Sequence, residues 1–292
     1  MTAVTSTTVD LRTEPRGFVS QAAVVALKEL RDSLRNKWFL SFSVLFAVLT
    51  CALGYLSMAG TGLDGVAGFG RTAASLINVI LLIVPLMGLT IGAGALAGER
   101  DRGTLEYLLA HPITRGELLA GKFLGCAIAL LISLSLGFGA GMIVVATGGR
   151  TQQIGGFLLM ILATDALAVA MLSVGFLISA FCRRGSTAIG IAILFWFSLV
   201  FLSDLGLMGG TLLLHFQART LFLATLANPM QSFKMSVLGG IHTSLDVLGP
   251  AGAYAVREYG PQLPAIFMTA IAAWIVLPAL CAYGLFTRRG DA

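Results

Sequence analysis

The sequence predicts an all-α polytopic membrane protein, in which six transmembrane helices follow an amphipathic interfacial helix and both termini are cytoplasmic. Of the 292 residues, 57% are hydrophobic and only 11% are charged, whereas soluble domains carry about 25% charged residues. The mean hydropathy is +0.90. One water-soluble core cannot bury so much apolar surface. Continuous apolar runs in lipid form helices, because lipid offers the backbone no hydrogen-bond partners.

Six apolar runs are each long enough to cross ~30 Å of hydrocarbon as a helix of roughly 20 residues. Residues 38–292 are therefore predicted to form one six-helix transmembrane domain. The runs span approximately 38–58, 75–97, 122–147, 155–181, 187–208 and 263–286.

Lysine and arginine near the ends of the runs predict the orientation, because cytoplasmic loops are enriched in both residues. Twelve lie on the side of the amino terminus and five on the other, so both termini are placed in the cytoplasm. This topology accounts for the net charge of +5 without a nucleic-acid partner. The twelve are Lys28, Arg31, Arg35, Lys37, Arg100, Arg102, Arg115, Lys122, Arg183, Arg184, Arg288 and Arg289, and the five are Arg71, Arg150, Arg219, Lys234 and Arg257.

Two segments precede the first span. Residues 1–17 are polar and threonine-rich and are expected to be a flexible cytoplasmic terminus, and residues 18–37 are expected to form an amphipathic helix. Apolar side chains recur along one stripe of it, and basic side chains fill the rest. Such a helix is expected to lie in the cytoplasmic interface, where simple anchoring and a mechanical role are both open. The stripe contains Ala23, Leu27, Leu30, Leu34 and Trp38, and the basic side chains include Lys28, Arg31 and Arg35.

Two long segments lie outside the membrane, a cytoplasmic loop at 98–121 and an outer segment at 209–262. In the loop, Gly103 follows a cluster of charges, and Thr104 is expected to cap a short helix that stops before Pro112. A helix of about seven residues is unstable alone in water. It must dock, and a cytoplasmic partner is favoured over the protein's own surface. One face carries three leucines at helical spacing, Leu105, Leu108 and Leu109.

A near-match to a phosphate-binding P-loop runs from Gly116 to Lys122. A P-loop needs a preceding strand and a final Ser or Thr, but Phe123 holds that position. Thr114 and Glu117 form a capping box, which predicts that a helix begins directly after Thr114 and that Lys122 lies inside it as a membrane anchor. No nucleophile–base pairing suggests catalysis either, so the chain is predicted not to be an enzyme.

The stretch GERDRGTLEYLLAHPITRGELLAGKFLG, residues 98–125, resembles the signature of ABC-2 type permeases, the membrane subunits of exporter-like ABC systems. This resemblance implies a homodimer on two separate ATPase subunits that bind ATP and magnesium, so this chain would hold no cofactor. Force transmission from the ATPase is assigned to residues of the loop. They are Glu99, Arg102, Gly103, Thr104, Leu105, Leu108, Leu109, Pro112 and Arg115.

A subgroup of these permeases, those of nitrous oxide reductase maturation systems, is similar over nearly the whole chain from about residue 20. The similarity includes KELRDSLRNKWF and LANPMQSFKMSVL. It implies a bacterial inner-membrane location, a periplasmic partner protein and copper handled by the complex. Three alternatives are open: export of a lipid-like or peptide substrate, a self-powered secondary transporter and a membrane enzyme.

Two further sets of residues carry possible chemistry. Asp165 is the only acidic residue well inside a predicted span. Carboxylates there are costly, and a cation path, a bond to a neighbouring helix and a dimer contact are open. In the outer segment, thioether and imidazole groups would suit Cu(I), but core packing is the commoner use of methionine. These weak candidates are His215, Met230, Met235 and His242.

Overall fold

The computed structural model describes residues 18–59, 66–110, 113–147, 154–212, 217–240 and 249–288, and within them it is entirely helical. This confirms the all-α class; the predicted flexible terminus at 1–17 lies outside the described residues. The helices are α1 (Phe18–Arg35), α2 (Lys37–Ala59), α3 (Val66–Asp101), α4 (Thr104–Leu109), α5 (Arg115–Thr147), α6 (Ile154–Phe181), α7 (Gly185–Leu212), α8 (Ala218–Ala227), α9 (Pro229–Gly240), α10 (Gly249–Tyr259) and α11 (Leu263–Arg288), and a 3-10 turn (Gly260–Gln262) precedes α11.

Five of these helices are long and apolar enough to cross a membrane, which confirms a polytopic membrane protein. The fifth predicted run, 187–208, falls within α7, but the apolar stretch of α7 with described side chains, Gly185–Phe201, is shorter than a span. The five candidate spans are Lys37–Tyr55, Ala74–Asp101, Arg115–Val144, Gly156–Phe181 and Leu263–Arg288.

The contact between α3 and α6 forms the centre of the bundle. In the most apolar stretch of each, 61% of the residues are buried, against 22% in α2 and α11. Gly92 of α3 lies against Gly175 of α6, and a Cβ atom at Gly92 would lie 2.6 Å from the carbonyl oxygen of Leu172. Small residues let the two backbones approach this closely, and such packing is what holds helices together in lipid.

The connections between several helices meet at one end of the bundle, which we call the α4 end. Arg100 of α3 donates to the carbonyl oxygen of Cys182, just after α6, at 2.8 Å. Its guanidinium lies 5.9 Å from the centre of the Phe286 ring of α11, and Gly116 of α5 packs against Tyr283 of α11. The basic clusters that the sequence assigns to one side are therefore close together in space.

Helix α1 packs on α5 at this same end. Its buried face carries Ala22 and Val25, which lie against Gly121, while Ala26 lies against Gly125. Most of the predicted apolar stripe points elsewhere, since Leu27 is 69% exposed, whereas Leu30 packs against the core cluster that includes Val25. Amphipathicity therefore identified the surface that α1 offers to its surroundings, whereas the face that packs on α5 is built from smaller residues.

The outer segment contributes α8, α9 and α10. Helix α9 packs beside α6 and α11, and Met230, Phe233 and Val237 are buried in the main core. The side chain of Asn228, between α8 and α9, connects the start of α9 to α7: its amide nitrogen donates to the carbonyl of Leu199 of α7 at 3.0 Å, and its amide oxygen accepts from the Met230 backbone of α9 at 2.9 Å. Much of the segment is thus part of the bundle rather than a loop over it.

We predict that Gly92→Ala destabilises the bundle by about 1–3 kcal/mol, because the new methyl group would overlap backbone atoms that cannot move aside. The matched control is Gly94→Ala on the same helix, where a Cβ atom would have no neighbour within 4 Å. Unfolding of the purified chain in mixed micelles by increasing SDS measures both. Equal transitions for the two variants would contradict the close contact.

Candidate functional site

The turn between α3 and α4 depends on one glycine. Gly103 has φ of +68°, in the left-handed region that favours glycine, and it occupies the N-cap position of α4. The prediction that Thr104 caps α4 is therefore wrong. Thr104 is the first helical residue, and its hydroxyl donates back to the carbonyl oxygen of Glu99 at 3.3 Å. Gly103 therefore both forms the turn between α3 and α4 and occupies the N-cap position of α4.

Helix α4 docks on its own chain through the leucine face. Leu105 is buried, and Leu108 is half-buried against the same cluster of core residues from α1, α3, α5 and α6. The expectation that this leucine face docks on a cytoplasmic partner is therefore wrong. The opposite face is exposed and carries Glu106 and Tyr107, of which Tyr107 is 70% exposed. The side chain of Leu109 and all of Pro112 lie outside the described residues.

The start of α5 confirms the capping box. The backbone and the hydroxyl group of Thr114 donate to one carboxylate oxygen of Glu117, at 2.7 and 2.8 Å, and the Glu117 backbone donates to the Thr114 hydroxyl at 3.3 Å. The helix begins at Arg115, as predicted. The P-loop near-match is thus continuous helix, and its backbone groups do not form a phosphate cradle.

Lys122 is the centre of a buried charge cluster that we define as Glu29, Glu99 and Lys122. Its ammonium lies 2.7 Å from Glu29 Oε2 of α1 and 2.8 Å from Glu99 Oε1 of α3. Only 2% of the Lys122 side chain is exposed, so its interpretation as a membrane anchor is wrong. One side chain of α5 therefore connects three helices.

The charge cluster contains more acidic groups than basic ones. Its two carboxylates face one ammonium, and Glu99 Oε2 is buried without a hydrogen-bond partner among the described residues. The Cys126 thiol lies at 3.9 Å from Glu29 Oε1 and at the same distance from the Ser33 hydroxyl. Burial of charge costs free energy that one ion pair rarely recovers in full. We therefore expect the cluster to fix the relative positions of α1, α3 and α5 more than it adds to the free energy of unfolding.

Helix α3 is also joined to α6, by Ser179 and Arg100. The Ser179 hydroxyl accepts from the backbone N–H groups of Leu96 (3.0 Å) and Ala97 (2.8 Å) and donates to the carbonyl oxygen of Ala93 (2.8 Å). Arg100 donates to the carbonyl oxygen of Ser179 at 3.1 Å, at the carboxyl end of α6 where a cation is favourable. The end of α3 that leads to α4 is therefore fixed to α1, α5 and α6.

The remaining predicted loop residues are exposed or partly exposed. Arg102 is exposed and donates to the carbonyl oxygen of Gly98 at 3.0 Å, and Arg115 is half-buried at the start of α5. On α1, Arg31 and Arg35 are exposed. Glu99 differs from these residues because its side chain is buried, where it contacts Lys122.

Sequence reasoning did not identify Glu29 and Ser179 at all. Glu29 lies on the small-residue face of α1 rather than on its apolar stripe, so the periodicity of apolar residues did not single it out. The signal that could have found it is the spacing Gly121-x-x-x-Gly125, which marks a close helix contact one turn from Lys122. Nothing in the sequence indicated that Ser179 bonds to α3, because the hydroxyl of a serine in an apolar helix most often donates to a carbonyl of its own helix.

The weaker candidates stay apart from this cluster. Asp165 of α6 is half-buried, and its Oδ1 has no hydrogen-bond partner within the described part of the chain. Met230 and Met235 are buried in two different core clusters, which is core packing. His215 and His242 lie outside the described residues, and no group of three or more metal-binding side chains occurs among those described.

We predict that Lys122→Met destabilises the chain by about 3–5 kcal/mol, because two buried carboxylates lose their counter-charge. The control is Lys28→Met, which removes an exposed pair on α1 at 3.7 Å from Asp32 and is expected to cost ~0–1 kcal/mol. Unfolding in mixed micelles gives both values. If Lys122→Met were as mild as its control, the cluster would be solvated.

We also predict that Ser179→Ala costs about 0.5–1.5 kcal/mol, because it removes the buried hydrogen bonds by which the Ser179 hydroxyl joins α6 to α3. Ser173→Ala in the same helix is the control, since that hydroxyl bonds only the Val169 carbonyl of its own helix. Hydrogen exchange of the α3 amides is expected to rise in Ser179→Ala alone. Unchanged exchange would show that the Ser179 bridge does not hold α3.

Residues 23–290, nearly the whole chain, match the family described as ABC-2 family transporter protein. A relative from Stutzerimonas stutzeri, "Probable ABC transporter permease protein NosY", is 31% identical over 280 residues, covering 93% of this chain and 99% of the relative. A protein of the same description from Pseudomonas aeruginosa is 32% identical over 271 residues, covering 91% and 97%.

The family match agrees with the geometry in two respects. ABC-2 membrane permeases lack a nucleotide-binding domain of their own, and the P-loop near-match is plain helix. The residues that carried the resemblance to these permeases, 98–125, form the loop, α4 and the start of α5. The chain belongs to the ABC-2 family of transporter permeases, as a membrane subunit that depends on a separate ATPase.

Proposed function

We propose that this protein is the permease subunit of a complex that assists the maturation of the copper site of nitrous oxide reductase. ATP hydrolysis in a NosF-like ATPase changes the conformation of the permease, and a NosD-like periplasmic protein receives that change. The observation that carries the proposal is the fixed junction at the α4 end, combined with similarity to two NosY permeases over more than nine tenths of the chain.

The proposal places six spans and both termini as the sequence predicts, in a bacterial inner membrane. Helix α7 is then the fifth span and α11 the sixth, and the α4 end faces the cytoplasm, in agreement with the basic residues gathered there. The chain acts as a homodimer with one ATPase subunit for each copy. ATP and magnesium are bound by the ATPase.

The ATPase contacts the exposed face of α4 in this scheme. Glu106 and Tyr107 face outward, while Leu105 anchors the helix to the bundle. A displacement of α4 reaches α3 through the turn at Gly103, and α3 is fixed to α6 by Ser179. Because α6 packs against α9 and α11, the displacement changes the surface formed by α8 to α10, where the periplasmic protein binds.

One observation favours a second candidate, the export of a small amphiphilic molecule. A cavity of about 160 Å³ lies between α3, α7 and α9. Its lining combines apolar and polar side chains, including a lysine, which suits a molecule with an anionic group and an apolar part. The lining residues are Asn78, Leu81, Leu82, Val200, Met230, Gln231 and Lys234.

The test of the proposed function is co-expression of the chain with a NosF-like ATPase and a NosD-like periplasmic protein. A stable assembly, and reductase without its copper site when the permease gene is deleted, are the expected results. Assembly with normal reductase in the deletion strain would favour the exporter. No assembly with an ATPase would overturn both.

We predict that the double change Glu106→Arg and Tyr107→Ala abolishes co-purification with the ATPase and leaves the chain folded, because both side chains are exposed. Tyr55→Ala is the control, since Tyr55 is similarly exposed at 66% but lies towards the carboxyl end of α2, away from α4. Retained ATPase binding in the double variant would place the docking surface elsewhere.

A further inference from the structure

We propose that the cavity between α3, α7 and α9 is a binding site for the head group of one anionic phospholipid, whose acyl chains stay in the bilayer beside α3. Lys234 of α9 binds the phosphate, and the bound lipid joins α9 to α3 and α7. The site is assigned from the chain alone. Only its position in the outer leaflet rests on the proposed function, which places the α4 end in the cytoplasm.

The cavity lies near the membrane surface that is opposite the α4 end. Helices α3 and α7 meet at the α4 end, where Gly185 packs against Gly98. At 1.5 Å per residue, Asn78 of α3 lies ~30 Å from that contact along its helix, and Val200 of α7 lies ~22 Å from it. Both residues line the cavity. Because the hydrocarbon layer is ~30 Å thick, the cavity lies close to the level of the phospholipid head groups.

The cation of the cavity, Lys234, has no counter-charge in the described part of the chain. Its neighbours in sequence, Phe233 and Met235, are buried, because α9 packs into the bundle on α6 and α11. Among the described residues, no carboxylate lies within ion-pair distance of the Lys234 ammonium. Charged side chains between membrane helices almost always have a partner, and basic pockets there bind anionic lipid head groups. The unpaired ammonium therefore points to an anion from outside the chain.

Two amide side chains complete the polar part of the lining. Gln231 lies one turn before Lys234 on α9, and Asn78 lies on α3. An amide nitrogen donates hydrogen bonds, and lysine binds phosphate as a point charge. Three side chains from two helices can thus bind one phosphate group. No carboxylate occurs among the described residues of the lining, so the lining does not repel an anion.

The volume of the cavity limits what can enter it. It measures about 160 Å³, whereas pockets that enclose a drug-sized ligand measure roughly 300–1,000 Å³. A cavity of about 150 Å³ accommodates one molecule of the size of benzene. A phosphate group therefore fits, but a whole amphiphile with its acyl chains does not. This favours a resident lipid that inserts only its head group over a transported molecule that enters completely.

The wall of the cavity on α3 is open to the bilayer. Asn78 and Leu82, one turn apart on α3, are both exposed, Leu82 to 54%. An acyl chain can pack on Leu82 outside the cavity while the phosphate lies inside it, next to Asn78. This combination of an apolar outer surface and a cationic interior suits an anionic phospholipid, which is present wherever the chain is inserted in a membrane.

A bound lipid would fill a gap between α9 and two of its neighbours. Helix α9 packs mainly on α6 and α11 and makes little contact with α7. A phosphate bound by Lys234 of α9 and Asn78 of α3, with Val200 of α7 beside it, touches all three helices. We therefore expect anionic lipid to hold α9, and with it the outer segment, against the side of the bundle formed by α3 and α7.

Two variants test the site by different means. Lys234→Gln removes the cation and leaves an amide in its place. Val200→Phe keeps the cation and reduces the space, because Val200 lines the cavity. The matched control is Arg219→Gln, which removes one positive charge from an exposed position on α8 that does not line the cavity. If Val200→Phe fails to fold, Lys234→Gln and its control decide the result.

The measurement is native mass spectrometry of each purified chain in a neutral detergent, titrated with phosphatidylglycerol or with phosphatidylcholine of the same acyl chains. We expect one phosphatidylglycerol to bind in preference to phosphatidylcholine. Its affinity is expected to fall about tenfold in Lys234→Gln, as for the loss of one charge-assisted hydrogen bond, to fall also in Val200→Phe, and to stay unchanged in Arg219→Gln. Equimolar glycerol 3-phosphate, which lacks acyl chains, is not expected to displace the lipid.

Four results would overturn the inference. They are equal affinity for the two lipids, equal affinity in Lys234→Gln and Arg219→Gln, displacement by equimolar glycerol 3-phosphate, which would indicate a site for a free anion, and no bound lipid, which would indicate a cavity that holds only water. The assay needs neither the ATPase nor the reductase. Failure of the proposed function therefore leaves its outcome unchanged, and loss of the lipid site leaves the test of the proposed function unchanged.

Discussion

The buried ammonium of Lys122 is the interaction on which the organisation of the α4 end depends. It lies between carboxylates from α1 and α3, and it is almost completely excluded from solvent. In a low-dielectric environment such contacts are directional and poorly screened by salt, so they fix positions even where their net contribution to stability is small. Around it, the capping box starts α5 and the leucine face of α4 closes the same core cluster.

The contact of α3 with α6 provides the complementary constraint at the centre of the bundle. Glycines allow the two backbones to touch, and the Ser179 hydroxyl enters the hydrogen-bonding pattern of α3 between Ala93 and Ala97. A helix held by backbone contacts along its length cannot bend freely in response to a push at its end. Movements of the loop are therefore expected to be transmitted as shifts of packed helices rather than absorbed locally.

Much of this arrangement could be predicted from the sequence, because hydropathy and capping are local signals. The runs in α2 and α6 were placed within a few residues, and Thr114 and Glu117 predicted the start of α5. The errors concern contacts between distant residues. Glu29 and Lys122 are 93 residues apart, so Lys122 looked like an anchor. Thr104 failed as a cap because Gly103, the residue type most suited to φ of +68°, took that position.

The seating of α1 on Gly121 and Gly125 has a consequence for biogenesis. The chain is synthesised from its amino terminus, so α1 emerges long before the helix that receives it. Until α5 has entered the bilayer, Glu29 has no ammonium beside it and its carboxylate is most stable in water at the membrane surface. Helix α1 therefore leaves the ribosome before α3 and α5 but reaches its final place only after both have inserted.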